Sequence, residues 1–229
     1  MTKPKFIEQL NLPAVAAPMF LISGPELVLE CCKNGVVGTF PALNQRTSEG
    51  FEEWLITIKK ELNNFEEETG KKAAPYGVNL IVHHTNPRVQ ADLALCVKHK
   101  VPIIITSLGA VSQLVDAVHS YGGLVFHDVI KKRHAEKAAE AGVDGLILVA
   151  AGAGGHGGTI NPMSFISEIR SFKNELNIRP GSFIDISVEK INNKYVSSKE
   201  EKKINIKTGL IISFVSGGTI ISGSITVIK

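Results

Sequence analysis

A strict alternation constrains this chain more than any other feature. Up to about residue 178, short apolar runs rich in β-branched residues alternate with amphipathic stretches. The runs are Val15–Ala17, Val36–Phe40, Tyr76–Val82, Val101–Ser107, Leu124–Val129 and Gly145–Val149. They lack the polar–apolar alternation of a half-solvated strand, so both faces of each must be covered. The stretches between them carry helical stripes. Phe51, Trp54, Leu55, Ile58, Leu62 and Phe65 recur at spacings of three and four, with Ser48 as the expected N-cap and Gly70 as the stop. Asn86 and Pro87 are expected to open the next helix as N-cap and first residue, with Val89, Leu93, Cys96 and Val97 inward. Val111, Leu114, Val115 and Val118 form another inner face, and Ala135, Ala138, Ala139 and Ala141 a small-residue helix.

Six apolar strands separated by five helices require a parallel sheet. A repeat of about 20 to 25 residues favours a TIM (β/α) barrel over an open doubly wound sheet, and places function at the C-terminal ends of the strands. A complete barrel takes about 250 residues, and only about six βα units are visible in these 229. The expected fold is therefore α/β, an incomplete TIM barrel over residues 1–178. An atypical, irregular, β-rich tail occupies 179–229. From Arg179 onward alanine disappears and Ile, Ser, Lys and Asn take over, a change of the kind that truncation or a frame shift produces. The tail reads as short strands separated by Gly217-Gly218 and Gly223.

Bulk properties exclude several classes. The formal charge of +3 and the lack of aromatic–basic clusters argue against nucleic-acid binding. No apolar span reaches 18 residues, so a membrane helix is not expected. The first eleven residues lack the apolar run of a signal peptide. Cys31, Cys32 and Cys96 lack metal-ligand spacing and read as buried free thiols, which fits a cytoplasmic protein.

The chemistry concentrates after the sixth strand, in Ala153-Gly154-Gly155-His156-Gly157-Gly158-Thr159. A glycine-rich turn at the end of a buried strand presents backbone N–H groups to an anion such as phosphate. A histidine within it suits proton transfer. A flexible loop with a solvated His is the alternative. Gly152, Gly154 and Gly157 match a dinucleotide fingerprint formally, but the loop follows the sixth strand, not the first. Other strand-end candidates are Pro18-Met19, Asn79, Thr106, Ser107 and His127-Asp128. Asp128 is expected to hold His127, to touch a cofactor or to make a structural hydrogen bond. Adjacent His83 and His84 are expected to point apart, as loop or substrate-mouth residues rather than a metal site. His134 reads as a surface or capping residue, and His99 and His119 as helix-face residues without partners in sequence. No metal is expected.

Residues 14 to about 175 resemble the nitronate monooxygenase family, also called 2-nitropropane dioxygenases. The likeness rests on Ala16–Met19, Val36–Pro41, Gly77–Leu80, Ile105–Gly109, Arg133–Ala135 with Ala141–Asp144, and Ala153–His156, in that order. It implies an FMN-dependent TIM barrel that oxidises alkyl nitronates with O2 to a carbonyl compound and nitrite. It also implies residue roles. Ala17, Pro18 and Met19 would meet the flavin ring, Asn79 the flavin or its ribityl chain, and Gly154 and Gly155 the phosphate. Asp128 would lie at the cofactor, and His156 would be catalytic, as base for a nitroalkane α-proton or as the group orienting the nitronate. The family often carries Glu where this chain has Gly152, and Gln where it has Val149. The segment Ile211–Gly218 is similar to one of two later turns that complete the family's phosphate site; the other has no counterpart. Two alternatives stand beside this reading: an FMN-dependent enoyl-acyl-carrier-protein reductase, which shares the Gly-Gly-His loop, and a non-catalytic truncated barrel without flavin.

Overall fold

The computed structural model describes residues 6–7, 10–109 and 112–172, and the backbone of 210–215 and 222–227. Six strands follow the expected rhythm: β1 (Val15–Ala16), β2 (Val37–Pro41), β3 (Tyr76–Ile81), β4 (Ile103–Ser107), β5 (Leu124–Val129) and β6 (Gly145–Leu148). Between and after them run α1 (Pro25–Lys33), α2 (Ser48–Thr69), α3 (Val89–His99), α4 (Ser112–His119), α5 (Lys132–Glu140) and α6 (Pro162–Phe172). Neighbouring strands from β1 to β6 pair in parallel, in chain order. The result is the expected incomplete TIM barrel.

Two further strands, β7 (Leu210–Val215) and β8 (Ser222–Val227), extend the same sheet. β8 pairs antiparallel with β6, and β7 antiparallel with β8. Cα atoms of β7 come within 8 Å of β1, so this pair stands where a complete barrel carries its last two parallel strands. Gly223 lies inside β8, opposite Phe214, and does not separate strands as expected. Gly217-Gly218 and Val111 lie outside the described residues.

The strict period of two sorts the strand residues into layers. Val78, Leu80, Ile104, Val125, Val129, Leu146 and Leu148 face the helices and pack on Phe51, Leu55, Ile58, Leu93 and Phe165. Val37, Ile103, Ile105 and Phe126 form a separate inner cluster with Val15, Leu124 and Ile147. Phe6, Ile7 and Leu10 pack on this inner layer. Asn11 then donates to the Asn34 and Gly35 carbonyls beside the start of β2. The N-terminal segment thus seats against the bottom of the barrel.

Local chemistry shifts two expected boundaries. Thr47, not Ser48, caps α2: its hydroxyl accepts the Gly50 N–H at 3.1 Å. Ser48 sits one position inside and donates to buried Asp92 at 2.8 Å. Asn86 accepts the Arg88 N–H at 3.0 Å, which makes an Asx turn ahead of α3 rather than the helix cap. Arg88 is the residue before the helix, and it pairs with Asp92 at 3.0 Å. Gly70 ends α2 with φ 66°, as expected. Cys32 and Cys96 are buried free thiols, but Cys31 is only half-buried. Burial pushes the Cys32 thiol up to about 12, which leaves it inert.

Candidate active site at the C-terminal mouth of the barrel

Strand parity settles the His127-Asp128 alternatives. His127 shares a face with Val125 and Val129, among the helix-facing residues, and its Nδ1 hydrogen-bonds the Thr106 hydroxyl at 2.7 Å. Burial holds its imidazole down at about 4, with a hydrogen bond to the Thr106 backbone acting the other way. Asp128 shares the opposite face with Phe126 of the inner cluster. The two side chains therefore diverge, and Asp128 does not hold His127.

Asp128 instead ends a polar row across three strands. Asn79 Nδ2 donates to the Ile105 carbonyl at 3.2 Å and to Ser107 Oγ at 2.8 Å. Ser107 Oγ donates to Asp128 Oδ2 at 2.6 Å. The register explains the row: Asn79 pairs with Ile105, and Thr106 with His127, so Ser107 falls beside Asp128 on the inward face. Burial pushes the Asp128 carboxyl up to about 6, against the pull of the Ser107 hydrogen bond. Among the described residues, Asn79 Oδ1 and Asp128 Oδ1 take no hydrogen bond, and no cation pairs with Asp128.

The loop after β1 is fixed by groups that the sequence did not single out. Ser23 Oγ accepts the Met19 N–H at 2.9 Å. Asn44 Nδ2 donates to the Met19 and Ser23 carbonyls at 3.0 and 2.8 Å, and its Oδ1 accepts the Leu21 N–H at 3.0 Å. Ala17 is buried, Pro18 and Met19 are half-buried, and Phe20, Leu21 and Ile22 are exposed. Leu21 and, after β4, Leu108 both sit at φ 62°. Side chains as large as leucine seldom occupy that region, and strain of this kind gathers at functional loops.

The glycine-rich loop folds back on the end of β6. Ala151 N–H donates to the Ile160 carbonyl at 2.8 Å, Gly158 N–H to Ala150 at 3.2 Å, and Gly157 N–H to Gly155 at 3.0 Å. Gly152 and Gly155 take φ values of 90° and 68°. Gly158 lies so close to β6 that a Cβ there would stand 2.1 Å from the Val149 carbonyl oxygen. Within this turn the N–H groups of Gly154, Gly155 and His156 donate to no described residue, and the His156 ring is exposed and unpaired among the described residues. Backbone donors left without a partner among the described residues suit an anion.

Of the remaining histidines, one pair departs from expectation. His83 and His84 do not point apart; their rings lie 4.1 Å centroid to centroid, and His83 Nδ1 meets the Thr85 hydroxyl at 2.8 Å. His99 pairs with Glu52 and His119 with Asp144, each at 2.7 Å. His134 is half-buried on α5, and burial with nearby Lys131, Lys137 and Arg133 lowers its pKa. Among the described residues, no three His, Cys, Asp or Glu side chains are grouped to hold a metal. None of the described helices is long and apolar enough to cross a membrane.

No protein-family model matches the chain. Solved structures do share its fold. Over 76% of this chain it superposes on 50% of FabK from Thermotoga maritima (TM-score 0.62, 20% identity). It covers 59% of nitroalkane oxidase from Streptomyces ansochromogenes (TM-score 0.63, 20% identity) over the same share. A third likeness, over 47% of its partner, is to the enoyl reductase domain of MlnA from Bacillus amyloliquefaciens (TM-score 0.59, 18% identity). The fold is that of a TIM barrel. The chain spans about half the length of these structures. A stretch of 45 residues, 20% of the chain, is 53% identical to part of valine–tRNA ligase from Pelagibacter ubique, of which it spans 5%.

Proposed function

We propose that this chain is an FMN-dependent oxidoreductase that takes alkyl nitronates and O2 to a carbonyl compound and nitrite. The observation that carries the reading is the loop at the end of β6. Its N–H groups at Gly154, Gly155 and His156 donate to no described residue and suit a phosphate, and Gly158 seats the loop against β6 more closely than any residue with a side chain could. Asn79 and Asp128, facing inward from β3 and β5, keep acceptor oxygens that take no hydrogen bond from the described residues, and these are open to a flavin or its substrate. The Ala17–Met19 loop, braced by Ser23 and Asn44, offers backbone to the flavin ring. When bound, FMN supplies the redox chemistry between nitronate and O2. The chain's own part is to hold the anion and exclude competing reactions. His156, exposed on the loop, serves as the catalytic residue, as base for a nitroalkane α-proton or as the group that orients the nitronate. Likeness in fold to a nitroalkane oxidase supports the substrate class. Likeness to an enoyl reductase domain supports the second reading, an FMN-dependent enoyl-acyl-carrier-protein reductase. We assign the site to residues 1–178, with 179–229 as an atypical tail, in a cytoplasmic protein with no metal, nucleic-acid or membrane partner.

The test is direct. FMN-loaded protein is given ethyl nitronate under air, and nitrite is measured; NADH oxidation with an enoyl thioester is followed in parallel. Nitrite without NADH use supports the first reading, and NADH use the second. Inactivity in both assays points to a truncated barrel without catalysis. His156→Ala is expected to lose about a hundredfold in turnover while still binding FMN, because the backbone donors stay in place. Unchanged turnover removes His156 from the chemistry.

A further inference from the structure

Large apolar side chains are not spread evenly over the surface. Eight are exposed among the described residues, and six of them stand at the C-terminal end of the barrel: Phe20, Leu21, Ile22, Leu108, Ile130 and Met163. A single exposed leucine needs no explanation, but a gathering around a mouth does. Leu21 and Leu108 are the most exposed, at 77% and 70%, and both take φ 62°. Each is held there by named contacts. Leu21 N–H donates to Asn44 Oδ1 at 3.0 Å, and Asn44 Nδ2 holds the carbonyls on either side, Met19 at 3.0 Å and Ser23 at 2.8 Å. One side chain from the turn after β2 thus engages three polar groups of the β1 loop, and the tip, Phe20–Ile22, is wholly apolar. Leu108 is held at the end of β3. The Ser107 carbonyl accepts the Val82 N–H at 2.8 Å, and a Cβ on Gly109 would stand 2.6 Å from the Val82 carbonyl oxygen. A leucine in the left-handed region is disfavoured, and its exposure to water adds to the cost. Strain of this kind persists at ligand clamps.

Both leucines adjoin the site. Leu21 lies two residues after Met19, and Leu108 directly follows Ser107 of the inward polar row. Resting on the nitronate reading above, we infer that Leu21 and Leu108 form the apolar seat for the alkyl chain of the substrate, with Asn44 as the positioning residue that holds Leu21. The substrate class narrows to nitronates with a long unbranched chain, such as hexyl nitronate, over ethyl nitronate. Phe20 and Ile22 flank Leu21 at the same tip and extend its apolar surface. The seat adds no chemistry. It holds the chain alike before and during the reaction, so it acts on KM and leaves kcat to the groups around the flavin. Each methylene that the seat covers is expected to lower KM by up to about fourfold. Both leucines stand on loops rather than strands, so chain-length preference is set apart from the inward row of Asn79, Ser107 and Asp128.

The experiment reads chain length twice, once by binding and once by turnover. Full-length protein with excess FMN is titrated by calorimetry with acetate, butyrate, hexanoate and octanoate, planar anions that match a nitronate head and do not react. Nitrite release from ethyl, butyl and hexyl nitronate under air is followed in parallel. In wild type, Kd and KM are expected to fall as the chain lengthens, by up to about fourfold per methylene, with kcat nearly constant. Leu21→Asn installs a residue that tolerates the left-handed region and removes the apolar side chain. It is expected to flatten the dependence, losing more on hexyl than on ethyl nitronate. Leu108→Asn is expected to do the same, and covers the case in which Leu21→Asn does not fold. Asn44→Ala frees Leu21 and is expected to flatten the dependence too; a merely structural asparagine would affect all chain lengths alike. Affinity independent of chain length in wild type, or unchanged dependence in either leucine variant, overturns the inference. Wild-type dependence in Asn44→Ala overturns the positioning role. Nitrite from ethyl nitronate with flat affinities overturns the seat and leaves the nitronate reading intact. Length-dependent binding that needs Leu21 and Leu108, without nitrite from any nitronate, supports the seat and overturns the nitronate reading.

Discussion

Replacing Gly158 by alanine is the sharpest mechanical test of the loop. A Cβ at this position would stand 2.1 Å from the Val149 carbonyl oxygen and 3.1 Å from its carbon. Real Cβ contacts do not fall below 3.0 Å, so the two must part by about 0.9 Å. Neither side yields easily. Val149 N–H is bonded to the Val129 carbonyl at 2.8 Å, and Gly158 N–H to Ala150 at 3.2 Å. The displacement therefore passes into the turn that presents the Gly154, Gly155 and His156 donors. Misplacing a positioned group by about 1 Å costs about a hundredfold, or about 2.7 kcal/mol of binding. Gly158→Ala is expected to weaken FMN by that factor, read from quenching of flavin fluorescence. Gly155→Ala provides the contrast. Nothing lies within 4 Å of its Cβ, and the cost is the strain of φ +68° alone, about 1–2 kcal/mol in the left-handed region. Gly70→Ala, at the end of α2 with φ +66° and open space, is expected to lower thermal stability and leave FMN affinity unchanged. Gly158→Ala that binds FMN as tightly as wild type would refute the placing of the phosphate at this turn.

Two further predictions concern stability. Asp128 and His127 oppose each other across one pH window. The Asp128 carboxyl, raised to about 6, holds a proton in the folded chain that the unfolded chain has released, so its contribution falls as pH rises from about 4 to 6. His127, lowered to about 4, stays neutral in the folded chain while the unfolded chain protonates near 6.5, so its contribution is lost as pH falls through the same range. Asp128→Asn is expected to show stability that climbs with pH between about 4 and 6, and His127→Gln stability that declines, both read by urea melts at several pH values. Parallel slopes in the two variants would contradict the assignments. Thr47→Ala is expected to cost about 1 kcal/mol through loss of the α2 cap, measured by the same melts; no change would return the cap to Ser48.

The strands were legible because each is apolar on both faces, and all six fell within two residues of their expected limits. The inner stripe of α2 was legible from its spacing of three and four: Phe51, Leu55, Ile58 and Leu62 are all buried. What the sequence hid was register. Asn79, Ser107 and Asp128 are separated by 28 and 21 positions, and only the stagger of β3, β4 and β5 brings them together. The same holds for His99 with Glu52 and His119 with Asp144, whose partners lie 47 and 25 residues away. Ser23 and Asn44 carry no pattern, because they act on loop backbone rather than on each other alone. The His83–His84 expectation failed for a different reason. Both residues lie beyond the last strand residue, Ile81, where the chain has begun to turn, and adjacent side chains there need not diverge.

The visible absorbance spectrum of the purified full chain, with and without added FMN, tests the central claim most directly. The account predicts bound flavin, with a spectrum perturbed from that of free FMN and retained through gel filtration. A chain that stays colourless after incubation with excess FMN, while folded by circular dichroism, would contradict it.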